Sequence, residues 1–223
     1  MFHNRKMFTS LIILALSLCI SSPAGLQAGI RDNLLAAAKS GNTDEVKILL
    51  QKDASPNVRD DDEFAPLYYA VDSGNYDMAK ILINAGANVN MRYKDDTTVL
   101  IRASVKGYDD IAKIIIKAGA NVNARDNKEK SVLIYAVQNG RIDIVKMIIA
   151  KGVNINSKDN RGRSALMYAA EYGYYDLIQL LVKKGANIKA RDNEDKTALT
   201  LAQEGEHTEA ALLLEKFIKK ENN

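Results

Sequence analysis

Cysteine and histidine are scarce in this chain of 223 residues, which contains one cysteine and two histidines. Cys19 and His3 both lie within residues 1–28, so His207 is the only one of the three beyond them. Thiol catalysis, a Ser–His–Asp triad and a structural zinc site all depend on these residue types, and their scarcity argues against each. We therefore expect no catalytic residue, no metal site and no cofactor, and we interpret His207 as a surface residue at a helix start.

Acidic residues are missing from residues 1–28, where Arg5 and Lys6 precede the apolar run LIILALSLCI and small residues follow it. Basic, apolar and then small residues is the order of a secretory signal peptide. We expect residues 1–28 to be such a signal, cleaved after Ala24 or Ala28, and the protein to be periplasmic or secreted. A mature chain starting there would contain no cysteine and hence no disulfide.

Membrane anchoring is the alternative, either through an uncleaved N-terminus or through lipid on Cys19. The apolar run at 11–20 is about half as long as a membrane-spanning helix requires. Leu18 also occupies a position where a lipid-attachment signal favours a small residue. Both observations favour export over anchoring.

A large excess of one charge is lacking too, since 31 basic and 28 acidic residues give a net charge of +3. Without Arg5 and Lys6, 29 basic and 28 acidic residues remain, which is a net charge of +1. Such a balance produces no general attraction for polyanions, so a nucleic-acid partner is not expected. The densest acidic group, at 60–63, lacks the spacing of a calcium loop and is interpreted as a solvated turn.

The chain does contain a repeat. The stretch NAGANVNMR at 84–92 recurs as KAGANVNAR at 117–125, AKGVNINSK at 150–158 and KKGANIKAR at 183–191, always 33 residues apart. A period of this length is typical of stacked repeat proteins, in which each repeat supplies part of its neighbour's core. The repeated stretch is therefore interpreted as structural rather than catalytic.

Columns at the same spacing predict two short antiparallel helices in each repeat. Leucine recurs from Leu34 to Leu199, alanine follows three residues later, and glycine recurs from Gly41 to Gly173. Leucine and alanine at these spacings predict the buried helix face, and the glycine permits a left-handed turn between the helices. A second glycine is expected just after the second helix, at Gly86, Gly119, Gly152 and Gly185.

These columns resemble the ankyrin-repeat family over about residues 30–220, and DNRGRSALMYAAEYGYYDLIQLLVKKGANI at 159–188 is the most complete copy. The resemblance implies an all-α solenoid of stacked helix–turn–helix repeats, each preceded by a finger loop, that is, a β-turn loop. The domain would span 29–223, with repeats at 29–59, 60–92, 93–125, 126–158, 159–191 and 192–223.

The family's Thr-Pro-Leu-His start is degraded in this chain. Its histidine column reads Tyr68, Ile101, Ile134, Met167 and Thr200. Since that histidine ties adjacent loops in the family, we expect looser polar ties between repeats, compensated by apolar packing. In the terminal repeats Asp53 and Glu206 replace glycines.

The resemblance further implies that finger tips and the inner, concave helix face recognise a partner protein. The corresponding variable positions are Asp61, Asp62, Phe64, Asp72, Lys94, Asp95, Lys106, Lys128, Lys130, Gln138, Arg161, Arg163, Glu171 and Tyr172. Phe64 and Tyr172 are the candidate aromatic anchors, because aromatic residues are enriched in binding hot spots. A basic column (Arg59, Arg92, Arg125, Lys158 and Arg191) is interpreted as local electrostatics of the fingers.

The sequence thus predicts an exported, monomeric and non-catalytic scaffold that binds another protein. A membrane-tethered structural protein is the second interpretation, in which membrane contact requires a retained or lipidated N-terminus. An enzyme is the third.

Overall fold

The computed structural model describes residues 23–221, with side chains from Gly29 onward. Arg5, Lys6 and Cys19 therefore lie outside the described residues. Twelve α-helices occur in the described part of the chain, in six consecutive pairs. They are α1 (Pro23–Ser40), α2 (Thr43–Gln51), α3 (Pro66–Asp72), α4 (Tyr76–Asn84), α5 (Val99–Lys106), α6 (Asp109–Lys117), α7 (Val132–Gln138), α8 (Ile142–Ala150), α9 (Ala165–Glu171), α10 (Tyr175–Lys183), α11 (Ala198–Glu204) and α12 (Thr208–Glu221).

Helix α1 includes the positions of both predicted cleavage sites, after Ala24 and after Ala28. In the described residues, none of the helices combines the length and apolar character needed to cross a membrane.

The chain divides into two compact units, Met1–Ala87 and Asn88–Asn223. Within the N-terminal unit, α1 packs on α2 and α3, and α4 packs on α2 and α3. Within the C-terminal unit, each inner helix (α5, α7, α9 and α11) packs on its own outer helix (α6, α8, α10 and α12), and α5, α7 and α9 also pack on the next inner helix. The predicted all-α architecture of stacked helix pairs is confirmed within each unit.

The leucine and alanine columns form the core of each stack. Leu67, Leu100, Leu133 and Leu166 are buried, as are the alanines that follow them by three residues, whereas Leu199 in the last repeat is half-buried. Burial of one such leucine side chain contributes about 2 kcal/mol. The small alanines allow the inner helices to approach closely, which explains why the two columns recur together.

The helix ends follow directly from the repeated residues. A hydroxyl side chain precedes each of the helices α5, α7, α9 and α11 and accepts a hydrogen bond from the N–H of the third helical residue. These capping residues are Thr98, Ser131, Ser164 and Thr197. After α4, Gly86 has φ +88°, and the N–H of Ala87 donates to the carbonyl oxygen of Leu82 at 2.9 Å. This is a Schellman ending, so the predicted place of the glycine is confirmed. Asp53 and Glu206 adopt the same left-handed backbone, with φ of 61° and 58°.

Asparagines tie consecutive repeats together. The side-chain amide of Asn156 donates to the carbonyl oxygen of Gly185 at 3.1 Å, and its oxygen accepts the N–H of Asn187 at 2.8 Å. Asn90 makes the same two bonds to Gly119 and Asn121. Side-chain amides therefore supply polar ties between these repeats, and the expectation that such ties are looser than in the family stays a prediction.

The basic column has two roles in the fingers. Arg125 pairs with Glu129 of its own finger at 3.1 Å and donates to the carbonyl oxygen of Lys158 at 3.3 Å. Arg92 likewise donates to the carbonyl oxygen of Arg125 at 3.0 Å. The interpretation as local finger electrostatics is confirmed, and the bond to the next repeat is an addition to it.

Candidate functional site

An aspartate shapes the fingers that begin at Asp60, Asp126, Asp159 and Asp192, whereas Tyr93 occupies the same position in the finger at 93–97. One carboxylate oxygen of Asp126 accepts the backbone N–H groups of Lys128 at 2.9 Å and Lys130 at 2.8 Å. The other accepts the hydroxyl of Tyr135, on α7, at 2.7 Å. The same arrangement recurs at Asp60 with Tyr69 and at Asp159 with Tyr168. The carboxylate therefore fastens the finger to the inner helix that follows it.

These aspartates correct one interpretation made from the sequence. The acidic group at 60–63 was interpreted as a solvated turn, and Asp61, Asp62 and Glu63 are indeed exposed, but the side chain of Asp60 is only 9% exposed. The aspartates at the same position in later fingers, Asp126, Asp159 and Asp192, are buried. Burial raises the pKa of the Tyr135 hydroxyl above its ordinary value, and the hydrogen bond to Asp126 raises it further. The carboxylate is thus committed to holding the turn, which leaves the residues at the finger tip to face solvent.

The finger tips of the C-terminal unit are joined through the backbone. The N–H of Asn160 donates to the carbonyl oxygen of Lys128 at 3.0 Å, and the N–H of Asn193 donates to that of Arg161 at 3.0 Å. The N–H of Asn127 makes the corresponding bond to Asp95 at 2.9 Å. Because backbone atoms make these bonds, the tip side chains can differ between repeats while the row of fingers keeps its geometry.

A second set of bonds joins the last finger residue to the end of the inner helix, eight residues later. The guanidinium of Arg163 donates to Glu171 at 2.6 Å, and the amine of Lys196 donates to Glu204 at 2.9 Å. In the repeat before these, the amine of Lys130 donates to the neutral amide of Gln138 at 2.8 Å.

The amine of Lys130 lies among aromatic rings. It is 5.1 Å from the ring centroid of Tyr135 and 4.7 Å from that of Tyr168. Burial lowers the pKa of the Lys130 amine, an effect that the nearby Asp159 and Asp126 carboxylates partly oppose. Gln138 continues the contact outward by donating to the hydroxyl of Tyr172 at 3.2 Å.

Arg163 differs from the basic residues at the same position in the neighbouring repeats because it is only 4% exposed. Besides Glu171, it pairs with Asp192 of the next finger at 3.2 Å. Its position beneath the surface makes it a residue that positions Glu171 and joins two repeats.

In the N-terminal unit, the finger at 60–64 has its own cluster. Asp60 pairs with Lys39 of α1 at 2.7 Å and accepts the hydroxyl of Tyr69. The ring of Phe64 stacks on that of Tyr68 with centroids 4.0 Å apart. The predicted anchor Phe64 is therefore half-buried within an aromatic cluster.

The other predicted contact residues fall into two groups by exposure. The exposed group is Asp61, Asp62, Lys94, Asp95, Lys106, Lys128, Arg161 and Tyr172, and the half-buried group is Asp72, Lys130, Gln138 and Glu171. The structure brings Lys130, Gln138 and Tyr172 into one connected set. The role of all these residues in binding a partner stays a prediction.

The residues that support this surface were not predicted from the sequence. Tyr135 and Tyr168 follow their finger aspartates by nine residues, and that recurring separation was the available signal. Lys39 has no repeated counterpart at Asp126 or Asp159, so the columns did not reveal it.

The single histidine of the described residues has a structural place. A ring nitrogen of His207 lies 3.0 Å from the carbonyl oxygen of Glu171, at the end of α9. Its ring also packs against Gly173, where an added Cβ would lie 2.6 Å from the imidazole. Within the described part of the chain, no three His, Cys, Asp or Glu side chains are grouped to hold a metal ion.

Comparison with known proteins places these features in a family. The family model described as ankyrin repeats (3 copies) matches residues 28–93, 85–159 and 133–223. The search of curated proteins finds no match. Proteins built from such repeats generally mediate protein–protein interaction and are typically non-catalytic. From residue 28 to residue 223, then, the sequence columns, the stacked helix pairs and the family match agree, and the chain belongs to the ankyrin-repeat family.

Proposed function

We propose that this protein is an exported, non-catalytic module that binds another protein on its finger tips and inner helices. The observation that carries the proposal is the joining of the finger tips by backbone bonds, such as Asn160 to Lys128 at 3.0 Å. A surface held in this way loses little conformational freedom on binding, which favours affinity. The exposed tip residues differ between repeats, as a surface that discriminates among partners requires.

The binding part is tested by affinity capture with the full chain and two matched alanine variants. The tip variant changes two acids, two bases and a tyrosine, namely Asp61, Asp62, Lys94, Arg161 and Tyr172. The control variant changes five exposed residues on the outer helices, which are two acids, two lysines and a tyrosine, so that one lysine stands for the arginine of the tip set. They are Asp77, Asp110, Lys113, Lys117 and Tyr175.

We expect the tip variant to lose the proteins that the wild type and the control variant both capture. Capture of the same proteins by all three chains would refute the assignment of the recognition surface. Circular dichroism at equal concentration checks that both variants keep their helical content.

Export is tested by sequencing the N-terminus of the protein isolated from the producing cells. A start at Gly25 or Gly29 is expected from cleavage after Ala24 or Ala28. A chain that keeps residues 1–24, or that begins at a lipid-modified Cys19, would support the membrane-tethered alternative instead.

A further inference from the structure

Among the described residues of the C-terminal unit, three neighbouring cations form no ion pair with a carboxylate, although most finger cations do. Arg125 pairs with Glu129, Arg163 with Glu171 and Asp192, and Lys196 with Glu204. By contrast, within the described residues no ion pair is formed by Lys128, Lys130 or Arg161. These three residues are called the cation cluster below.

The half-buried member of the cluster is the most informative. At the equivalent place in the next two repeats, a glutamate faces the finger cation, but Lys130 faces the uncharged amide of Gln138 at 2.8 Å. Asp126 and Asp159 lie close enough to influence its pKa, but each already accepts a tyrosine hydroxyl and two backbone N–H groups. A partly desolvated cation without a dedicated counter-ion favours an anion supplied from outside.

The three cations also lie on adjoining fingers. Lys128 and Asn160 are joined by the backbone bond of 3.0 Å, and Arg161 follows Asn160 directly. The charges of Lys128 and Arg161 act on the pKa of the Lys130 amine in the same direction as its burial, and lower it. The cluster therefore presents two exposed cations beside a half-buried one.

An aromatic face borders the cluster. Tyr172 is 42% exposed, accepts a hydrogen bond from Gln138 and stacks on Tyr174 with centroids 5.8 Å apart. Acidic residues on the neighbouring fingers, including the exposed Asp95 and Glu194, limit the positive surface to the cluster itself. That limit suits a short acidic protein segment, because a nucleic-acid backbone would continue onto these acids.

We propose that the cation cluster binds a carboxylate-rich segment of the partner protein, with Lys130 contacting one carboxylate and Lys128 and Arg161 its neighbours. This inference rests on the proposed function and names the chemistry of the partner. Gln138 leaves Lys130 available to the segment, and Tyr172 packs against the residue beside the carboxylate.

The test uses the full chain and three labelled probes: an eight-residue peptide with four glutamates, its glutamine analogue and an eight-residue oligothymidylate. The decisive variant is Gln138→Glu, which supplies Lys130 with the internal carboxylate that the next two repeats have. Lys128→Gln combined with Arg161→Gln removes the exposed charges. Lys113→Gln combined with Lys117→Gln removes two charges from an outer helix and is the control.

We expect the glutamate peptide to bind at least about tenfold more tightly than the glutamine peptide, since charged hydrogen bonds replace neutral ones. Gln138→Glu should weaken that binding about tenfold without lowering the unfolding midpoint, and the control should leave it unchanged. The unchanged midpoint separates lost binding from lost folding.

Equal binding of the two peptides, or unchanged binding by Gln138→Glu, would overturn the inference. Tighter binding of the oligothymidylate, lost in the same variants, would also overturn it. If the five-residue tip variant loses its captured proteins while the peptides bind equally, the inference fails and the proposed function stands. If that variant keeps all captured proteins, the proposed function itself fails.

Discussion

Protonation of Asp60 should remove a measurable part of the stability of the N-terminal unit. Burial alone would raise the pKa of this carboxyl, but hydrogen bonds from Lys39, Tyr69 and the N–H of Phe64 outweigh it and lower the pKa from 3.8 to about 2. That interval corresponds to at most about 2.4 kcal/mol. Because the Lys39 side chain is 47% exposed and solvent screens its charge, we expect about 1–2 kcal/mol.

The direction of the pH dependence follows from the lowered pKa. The stabilisation is fully present above pH 3.8, the ordinary value, and is lost as the pH falls through about 2. We therefore expect Asp60→Asn to be less stable than the wild type at pH 6, and the difference to shrink by about 1–2 kcal/mol at pH 2. Other carboxylates titrate in both chains and cancel in this difference.

Urea unfolding at the two pH values measures the difference, and a carbon-13 NMR titration of the aspartate carboxyls measures the pKa directly. Asp61→Asn is the matched control, because Asp61 is an exposed aspartate next to Asp60 on the same finger. A pKa of Asp60 at or above 3.8, or a difference independent of pH, would refute the reasoning.

Two further predictions concern the ties between repeats. Arg163→Met should lower the free energy of unfolding by about 2–4 kcal/mol, because it leaves the 1% exposed carboxylate of Asp192 without its cation. Lys196→Met removes an exposed ion pair and should lower it by less than about 1 kcal/mol. Equal losses in chemical unfolding would contradict this. Asn156→Ala should cost about 1–2 kcal/mol by removing two hydrogen bonds to the next repeat, and Asn160→Ala, whose inter-repeat bonds are made by its backbone, should cost less than about 0.5 kcal/mol. Thermal unfolding of the two variants would show similar midpoints if the asparagine ties were unimportant.

The fold could be predicted because the stacking places each column in the same environment in every repeat. Leu100, Leu133 and Leu166 are buried in equivalent positions, so the spacing alone indicated a core. The left-handed residues were predictable for a related reason. A turn that requires positive φ selects glycine, and where Asp53 and Glu206 stand instead, the spacing still marks the turn.

The candidate surface was less predictable, because side chains in one column need not share a role. Lys130, Arg163 and Lys196 occupy equivalent positions, yet only Arg163 is buried. Its burial depends on Asp192, which belongs to the next repeat, and on Glu171, which belongs to the inner helix. A linear sequence shows the column but not which neighbours converge on one of its members.

In this chain, basic side chains bond to the carbonyl oxygen of the residue 33 positions later. These bonds affect how such a chain can change its length. Arg92 bonds to Arg125, Arg125 to Lys158, and Lys158 to Arg191, so each of these three junctions has a basic side chain as donor and a backbone carbonyl oxygen as acceptor. Removing or duplicating one whole repeat inside this series would join a donor to an acceptor of the same kind. Duplication or deletion of one repeat would therefore extend or shorten the row of fingers in whole steps, and each added copy would be free to diversify at its tip.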